Sequence, residues 1–266
     1  MKNIISSSKN DKIKYLSKLY NSRKRKKESK YILEGENIVL EAMNSNAKFD
    51  SIYMTPEFNK SIAANKIKEK LSDNTNIYII EENIFNELAD TVNPQGIIAI
   101  VDEPVYDKNL FLKKKKRILV LDRVQDPGNM GTLIRTALAA DFDGIISLKG
   151  SVDIFNLKVL RSTMGAIFNI PIIYNVSLEE LKELLNDSSY KIISTDLNAK
   201  KYYYQLNYNF PLLLVIGNEA RGVSYKLNEM ADIAIKIPLP GNIESLNAAI
   251  SGGILMYHII LQDNIG

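Results

Sequence analysis

The chain has no cysteine, no tryptophan and a single histidine, His258, in 266 residues. Without cysteine there is no disulfide, no thiolate nucleophile and no cysteine-ligated zinc site. One histidine excludes a His-based metal cluster and leaves at most one imidazole for proton transfer. No run reaches the roughly 18 apolar residues that would span a bilayer. The opening MKNIISSSKN lacks the apolar core of a secretion signal. The expectation is a cytosolic protein, without a metal, whose chemistry runs on Arg, Glu, Asp, Ser, Asn or backbone groups.

What is present is ordinary globular material, 45% hydrophobic and 24% charged, enough for one large domain or two modest ones, each with its own core. The formal charge of +3 hides a segregation. Residues 1–30 carry eleven Lys or Arg against two acids, a net of +9, so the other 236 residues sum to −6. Five more cations stand together at residues 113–117. Blocks of one sign suit either a polyanionic partner or a solvated basic face, and charge alone leaves both open.

Apolar spacing at Ile13, Tyr15, Leu16, Leu19 and Tyr20 predicts one basic helix over residues 10–27. Strands at YILE, SIYM, IYII and GIIAIV alternate with helices near residues 37–43, 62–71 and 84–89. This pattern predicts a small α/β domain over residues 1–105. Polar residues 106–117, following Pro104, read as a linker. A second α/β domain is expected over residues 118–266. Its strands are ILVLD, GIISL, PIIY, KIIST, LLLVIG and IAIKIP, and its helices lie near residues 132–140, 155–168, 178–185, 224–230 and 246–261. Near-continuous apolar strands such as LLLVI indicate a parallel sheet covered on both faces. Such sheets bind ligands beyond the carboxyl ends of their strands.

Three segments begin at those ends. In LDRVQDPGNMGTLIRTA, residues 121–137, a strand enters the turn-forming DPGN, a helix opens near Gly131, and Arg135 lies one turn further on. By itself this reads as a helix start followed by a surface arginine. It is neither a dinucleotide fingerprint nor a P-loop. In LLLVIGNEARGVS, residues 212–224, Gly217 and Gly222 let backbone approach closely, and Glu219 suits a cleft mouth or a solvated turn. In IKIPLPGNIESLNAAISGGILMYHI, residues 235–259, Pro238 and Pro240 impose extended backbone. Ser245 is expected to cap the following helix. Gly252 and Gly253 each cost that helix about 1 kcal/mol relative to Ala, which implies close packing. His258 reads as structural.

In residue type, order and spacing these segments resemble the three motifs of the TrmH-like (SpoU) RNA ribose 2′-O-methyltransferases of the SPOUT superfamily. Asn129, Gly131 and Arg135 match the first motif. Gly217, Asn218, Glu219 and Gly222 match the second, and Ile237, Pro238, Gly241, Ser245, Leu246 and Asn247 the third. A weaker match surrounds Arg161 and Gly165. Thr163, Ala220, Leu239 and Ala248 are conservative departures from the family's usual residues. The likeness covers residues 118–262 strongly. It extends more loosely to the N-terminal half, through YILEGENIVLEAM and VNPQGIIAIV.

The resemblance implies an α/β fold with two parts: a small N-terminal substrate-binding domain of the L30e-like kind, and a C-terminal SPOUT domain whose chain forms a trefoil knot. It implies S-adenosylmethionine as cofactor, held at Gly217, Asn218, Ile237, Pro238, Leu239, Gly241 and Leu246. It implies in-line methyl transfer to a ribose 2′-hydroxyl, with Arg135, Asn129, Glu219, Ser245 and Asn247 as the catalytic set. Free arginine stays protonated up to a pKa of about 12 or beyond, so Arg135 is expected to orient the hydroxyl and stabilise developing alkoxide charge. RNA is the implied partner, ribosomal RNA ahead of tRNA, with Arg23, Arg25, Lys26 and Arg161 as contacts. A homodimer through the C-terminal domain is implied as well. The competing readings are a tRNA methyltransferase, a non-catalytic RNA-binding protein of the same fold, and a small-molecule enzyme using a nucleotide. The last leaves the basic N-terminus unexplained.

Overall fold

The computed structural model describes residues 4–72, 74–113, 115–186 and 188–263; Lys2 and Lys114 of the two basic runs lie outside them. The chain divides into two compact units. The first runs up to Val105 and includes Phe155–Arg161; the second comprises Tyr106–Ile154 and the residues from Ser162 onward.

The N-terminal unit opens with α1 (Asp11–Leu19), whose first turn is capped by the Asn10 side chain accepting from the Lys12 amide at 2.9 Å. The single helix expected over residues 10–27 is in fact two. Asn21 accepts from the Arg23 amide at 2.9 Å and starts α2 (Ser22–Glu28), because an Asn side chain offers the backbone an alternative to continuing a helix. β1 (Lys30–Glu34), α3 (Glu36–Asn44), β2 (Phe49–Met54), α4 (Ile62–Lys70), β3 (Asn76–Ile79), α5 (Glu82–Leu88) and β4 (Ile97–Asp102) follow. The sheet order is β1-β4-β2-β3, with β4 antiparallel to both its neighbours and β2 parallel to β3. Leu16 and Leu19 of α1 bury against Ile32, Tyr53, Phe85 and Ile98. Within this unit Tyr31 also stacks on Phe155 with ring centroids 4.5 Å apart.

Residues 106–117, expected as a linker, are folded onto the C-terminal unit. They form α6 (Lys108–Phe111), place Phe111 in the core, and bring the carbonyls of Leu112 and Lys115 to the Tyr190 hydroxyl at 2.9 and 2.6 Å. The unit continues through β5 (Arg117–Leu121), α7 (Pro127–Ala139), β6 (Gly144–Leu148), α8 (Leu157–Thr163, which begins in the N-terminal unit), β7 (Ile172–Val176), α9 (Leu178–Leu185) and β8 (Lys191–Thr195). It ends with β9 (Lys201–Tyr202), β10 (Leu212–Ile216), α10 (Tyr225–Glu229), β11 (Ile233–Lys236) and α11 (Ala248–Asp263). Its seven strands are all parallel, in the order β7-β6-β5-β10-β8-β11-β9. Strand order turns outward in opposite directions from β5 and β8, with β10 inserted between them. That reversal is a topological switch point, where the carboxyl ends of strands open a crevice.

Several boundaries differ from expectation. α7 starts at Pro127 rather than near Gly131, because Asp126 caps it and Pro127 supplies a preformed first turn. The helix expected over residues 155–168 breaks where Met164 and Gly165 take φ of 49° and 86°. β11 stops at Lys236, since Pro238 has no amide to donate. The short β9 was not expected at all. His258 is structural, as read: Tyr203 meets it edge-on at 4.7 Å, Gln262 lies within hydrogen-bond distance at 3.0 Å, and burial pushes its pKa down. Among the described residues no helix is long and apolar enough to cross a membrane.

The two glycines of α11 are not equivalent. A Cβ at Gly252 would lie 2.4 Å from Cδ2 of the fully buried Leu133 on α7, whereas one at Gly253 would meet Thr136 at 3.8 Å, an ordinary contact. Close approach of α7 and α11 therefore depends on Gly252 alone. We expect Gly253→Ala to stabilise the protein by about 0.5–1 kcal/mol through helix propensity. Gly252→Ala should instead destabilise it by about 1–2 kcal/mol through overpacking. Denaturant titration distinguishes the two signs.

Candidate active site

The carboxyl ends of β5, β10 and β11 deliver the three polar segments to one place. After β10, Gly217 and Gly222 pinch a loop: the amides of Asn218 and Gly222 donate to each other's carbonyls at 3.0 and 2.9 Å. A Cβ on Gly217 would sit 2.2 Å from backbone atoms of Gly222 and Val223, so only glycine closes this turn. Gly222 adopts φ +65°, a value glycine reaches without steric cost. Inside the turn the Asn218 carbonyl oxygen Oδ1 accepts the amides of Ala220 and Arg221 at 3.1 Å each. Its Nδ2 donates to the Arg123 carbonyl at 2.9 Å.

The loop aims Glu219 at the start of α7. Its Oε1 accepts from the Asp126 amide and from Asn129 Nδ2, both at 3.1 Å, and its Oε2 from the Gln125 amide at 3.3 Å. Partial burial raises the Glu219 pKa, but these donors outweigh it, and the carboxyl is held below its ordinary range. Asn129 is itself set by the cap, its amide donating to Asp126 Oδ1 at 2.7 Å. Its Oδ1 in turn accepts from Asn247 Nδ2 at 2.9 Å. A relay Asn247–Asn129–Glu219 thus joins all three segments.

Asn247 has a second task that corrects the expectation for Ser245. Its Oδ1 accepts the amides of Ala249 and Ile250 at 2.9 and 3.2 Å, so Asn247, not Ser245, caps α11. The geometric reason is position, since a cap must immediately precede the first helical residue, here Ala248. Ser245 is instead exposed at the edge of a cavity of about 410 Å³, a volume suited to a small ligand or cofactor. Gly217, Asn218, Glu219, Ile237, Leu239 and Leu246 also line this cavity. Pro238, Gly241, Asn129, Arg135 and Asn247 are not among its lining residues. Arg135 is exposed on α7 and makes no hydrogen bond or ion pair with the described residues.

Sequence reasoning missed part of the wall, namely Thr195 at the end of β8, Asp196, Leu197 and Asn198 beyond it, and Ser251 and Leu255 of α11. The first four lie at the carboxyl end of the strand next to β10, so the rule that ligands sit at strand carboxyl ends could have found them. It also missed Asp122, whose buried carboxylate accepts the Ser224 amide at 2.6 Å and the Arg123 Nε at 3.2 Å, tying the ends of two segments together.

The basic surface is narrower than the charge count suggests. Arg23 and Lys26 are exposed on α2. Arg25, expected as an RNA contact, is buried, and its Nη1 donates to the carbonyls of Leu19 and Tyr20 at 3.0 and 2.8 Å. That correction follows from the helix break, which leaves carbonyls for Arg25 to satisfy. Arg161 Nη2 donates to Asp90 at 2.9 Å. In the second run Lys115 turns inward to the Asp143 carbonyl, and burial lowers its pKa.

Residues 116–257 match the model of the SpoU rRNA Methylase family, and residues 10–99 match an MRM3-like substrate binding domain. The chain belongs to the SpoU methylase family. Among relatives of this SpoU methylase is the 23S rRNA (guanosine(2553)-2′-O)-methyltransferase RlmP of Bacillus subtilis, 34% identical over 255 residues, spanning 96% of this chain and 98% of the relative. An AdoMet-bound rRNA methyltransferase from Sinorhizobium meliloti superposes with a TM-score of 0.87 at 27% identity, covering 97% of each chain. The SpoU methyltransferase AviRb from Streptomyces viridochromogenes, at 23% identity and a TM-score of 0.89, shares the fold over 97% of this chain.

Two outcomes follow for this methylase. Gly217→Ala should open the 217–222 turn, seen as a lower melting temperature and faster amide exchange of Asn218 and Gly222. The depressed Glu219 pKa gives stability that is complete above the ordinary carboxylate value of about 4.3 and lost as pH falls through the folded value. The melting-temperature gap between the wild type and Glu219→Gln should therefore be widest near neutrality and close on acidification.

Proposed function

We propose that this chain transfers a methyl group from S-adenosylmethionine to a ribose 2′-hydroxyl of large-subunit ribosomal RNA. The Asn247–Asn129–Glu219 relay carries the reading, since it assembles the residues of all three family motifs around one crevice. The named activity of the Bacillus subtilis relative, which this chain matches over nearly its whole length, supports the choice of RNA. The cytoplasm is the location proposed with this substrate.

The cavity suits the cofactor. Ile216, Ile237, Leu239, Leu246 and Leu255 offer apolar surface for a purine, and Thr195, Asp196 and Asn198 offer polar groups for a ribose and an amino acid. When bound, S-adenosylmethionine supplies an electrophilic methyl group on a sulfonium. The protein's task is then to place the hydroxyl, whose proton passes to solvent as the O–CH3 bond forms and the S–CH3 bond breaks, and to stabilise the charge the oxygen develops. Arg135 brings a guanidinium whose donors are uncommitted within the described residues, suited to a phosphate and an incipient alkoxide. The relay positions α7, which carries Arg135, against the loop bearing Ser245.

RNA held by the N-terminal unit, of the L30e-like kind, would meet Arg23 and Lys26, with Arg161 a third contact through its exposed part. We read the chain following β11 as threaded into the family's trefoil knot. A homodimer is supported by an apolar stripe on α11, where Ile250, Tyr257 and Leu261 are 56%, 45% and 53% exposed along one face.

Purified enzyme, S-adenosylmethionine and ribosomal RNA from a deletion strain should yield one new 2′-O-methyl site, mapped by primer extension. Arg135→Lys should lower turnover about a hundred-fold while RNA and cofactor affinities hold. Incorporation into no ribosomal RNA would overturn the substrate, and near-normal turnover by the lysine variant would overturn the arginine's role.

A further inference from the structure

Residues 199–210 lie at the far edge of the seven-stranded sheet, outside the methyl-transfer residues. Among the described residues β9 pairs only with β11, through Ile235↔Lys201 and Lys236↔Tyr202, and its last residue opens a run of three tyrosines, Tyr202, Tyr203 and Tyr204. Tyr203 turns inward: its ring packs edge-on to His258, and its carbonyl accepts the Tyr208 hydroxyl at 2.8 Å. Tyr202 and Tyr204 stack on each other instead, within 3° of parallel and 5.5 Å between centroids. Tyr203 braces Tyr204 edge-on at 5.4 Å, and the Tyr202 amide donates to Gln205 Oε1 at 2.9 Å. The outer ring, Tyr204, is nevertheless 51% exposed. It is a large, braced, flat surface turned to solvent.

Its surroundings are cationic. Lys236 Nζ lies 5.2 Å from the Tyr202 ring centroid, and Lys200 and Lys201 are exposed on the same short segment, which holds no acid from 199 to 210. Lys236 also lines the 410 Å³ cavity, so the platform is continuous with the cofactor crevice. An exposed ring that can extend its stack by one more flat π-system, edged by cations, has the two elements that bind unpaired nucleic acid strands. A duplex keeps its bases stacked within itself and offers no free face.

We propose that Tyr202 and Tyr204, with Lys200, Lys201 and Lys236, form a subsite for single-stranded RNA, one unpaired base stacking on Tyr204 and neighbouring phosphates meeting the lysines. The proposal rests on the reading of the chain as an RNA methyltransferase and adds a contact outside the methyl-transfer residues. The test uses the full chain and an unstructured oligoribonucleotide of about ten nucleotides carrying 2-aminopurine, whose fluorescence is quenched by stacking. Tyr204→Ala should weaken binding about five-fold or more and lose the quench. Tyr204→Phe should keep both, and cofactor affinity by calorimetry should be unchanged in either variant. Undiminished affinity and quench in Tyr204→Ala, or no quench with the wild type, would overturn the subsite. So would a fall in oligomeric state of Tyr204→Ala on sedimentation, which would make the patch an interface between copies. Methylation of ribosomal RNA by the wild type, assayed in parallel, keeps a failed subsite separate from a failed activity.

Discussion

The Glu219 carboxylate is the constraint on which the crevice depends. An ionised carboxylate is purely an acceptor, with about four lone-pair directions, and the groups presented to it here are donors: two amides from residues 125 and 126, and the side-chain nitrogens of Asn129 and Asn218. An amide in its place would turn hydrogens toward hydrogens on one side. Because Glu219 faces these donors, it fixes the orientation of Asn129, which leaves the Asn129 oxygen pointing at Asn247. Asn247 spends its own oxygen on the first amides of α11. Each polarity choice dictates the next. Segments 90 and 118 residues apart in sequence are thereby joined by side-chain hydrogen bonds. A site made this way stays polar and accessible, which a hydrophobic clasp would not.

The parts of this arrangement that were legible in the sequence are those decided locally. Strands such as Leu212–Ile216 are apolar throughout because they are covered on both faces, and the glycines at 217 and 222 answer to a turn that a Cβ would block. What was not legible was decided by competition between similar local choices. Asn21 and Ser245 are both competent caps, yet one breaks a helix and the other caps nothing, because tertiary structure selects which helix start is used. Arg25 sits in a run of five cations, residues 23–27, with nothing in sequence to separate it from its neighbours. Only the break at Asn21 gives it buried carbonyls to satisfy. β9, two residues long, is too short for any periodicity to register.

The same distinction revises what charge means in this chain. Of the cations in the first 30 residues, Arg25 is internal, Lys24 pairs with Glu28 and Lys30 pairs with Asp50. The formal excess therefore overstates the field presented to a polyanion. What remains is exposed Lys9 ahead of α1, exposed Lys12, Lys14 and Lys18 on α1, and exposed Arg23, Lys26 and Lys27 on α2. At physiological ionic strength the Debye length is about 8 Å, so these charges act on phosphates at contact range and little beyond it. Charge of this kind holds a strand without choosing among sequences, and the choice must come from surfaces that contact bases.

The missing cysteines and the structural histidine then stop looking like a deficit. A reaction that begins from a sulfonium has its driving force in the leaving group and needs from the protein alignment and a stable home for negative charge. Alignment is what an amide relay supplies, since Asn and a hydrogen-bonded carboxylate hold position without titrating near neutrality. In the proposed role, the Arg135 guanidinium supplies the rest. Cysteine would add a competing nucleophile close to an electrophilic methyl, and a titrating imidazole would add a pH dependence that the reaction does not require. His258, edge-on to Tyr203 and its pKa lowered by burial, is thus placed to support the back of the tyrosine platform without entering the chemistry.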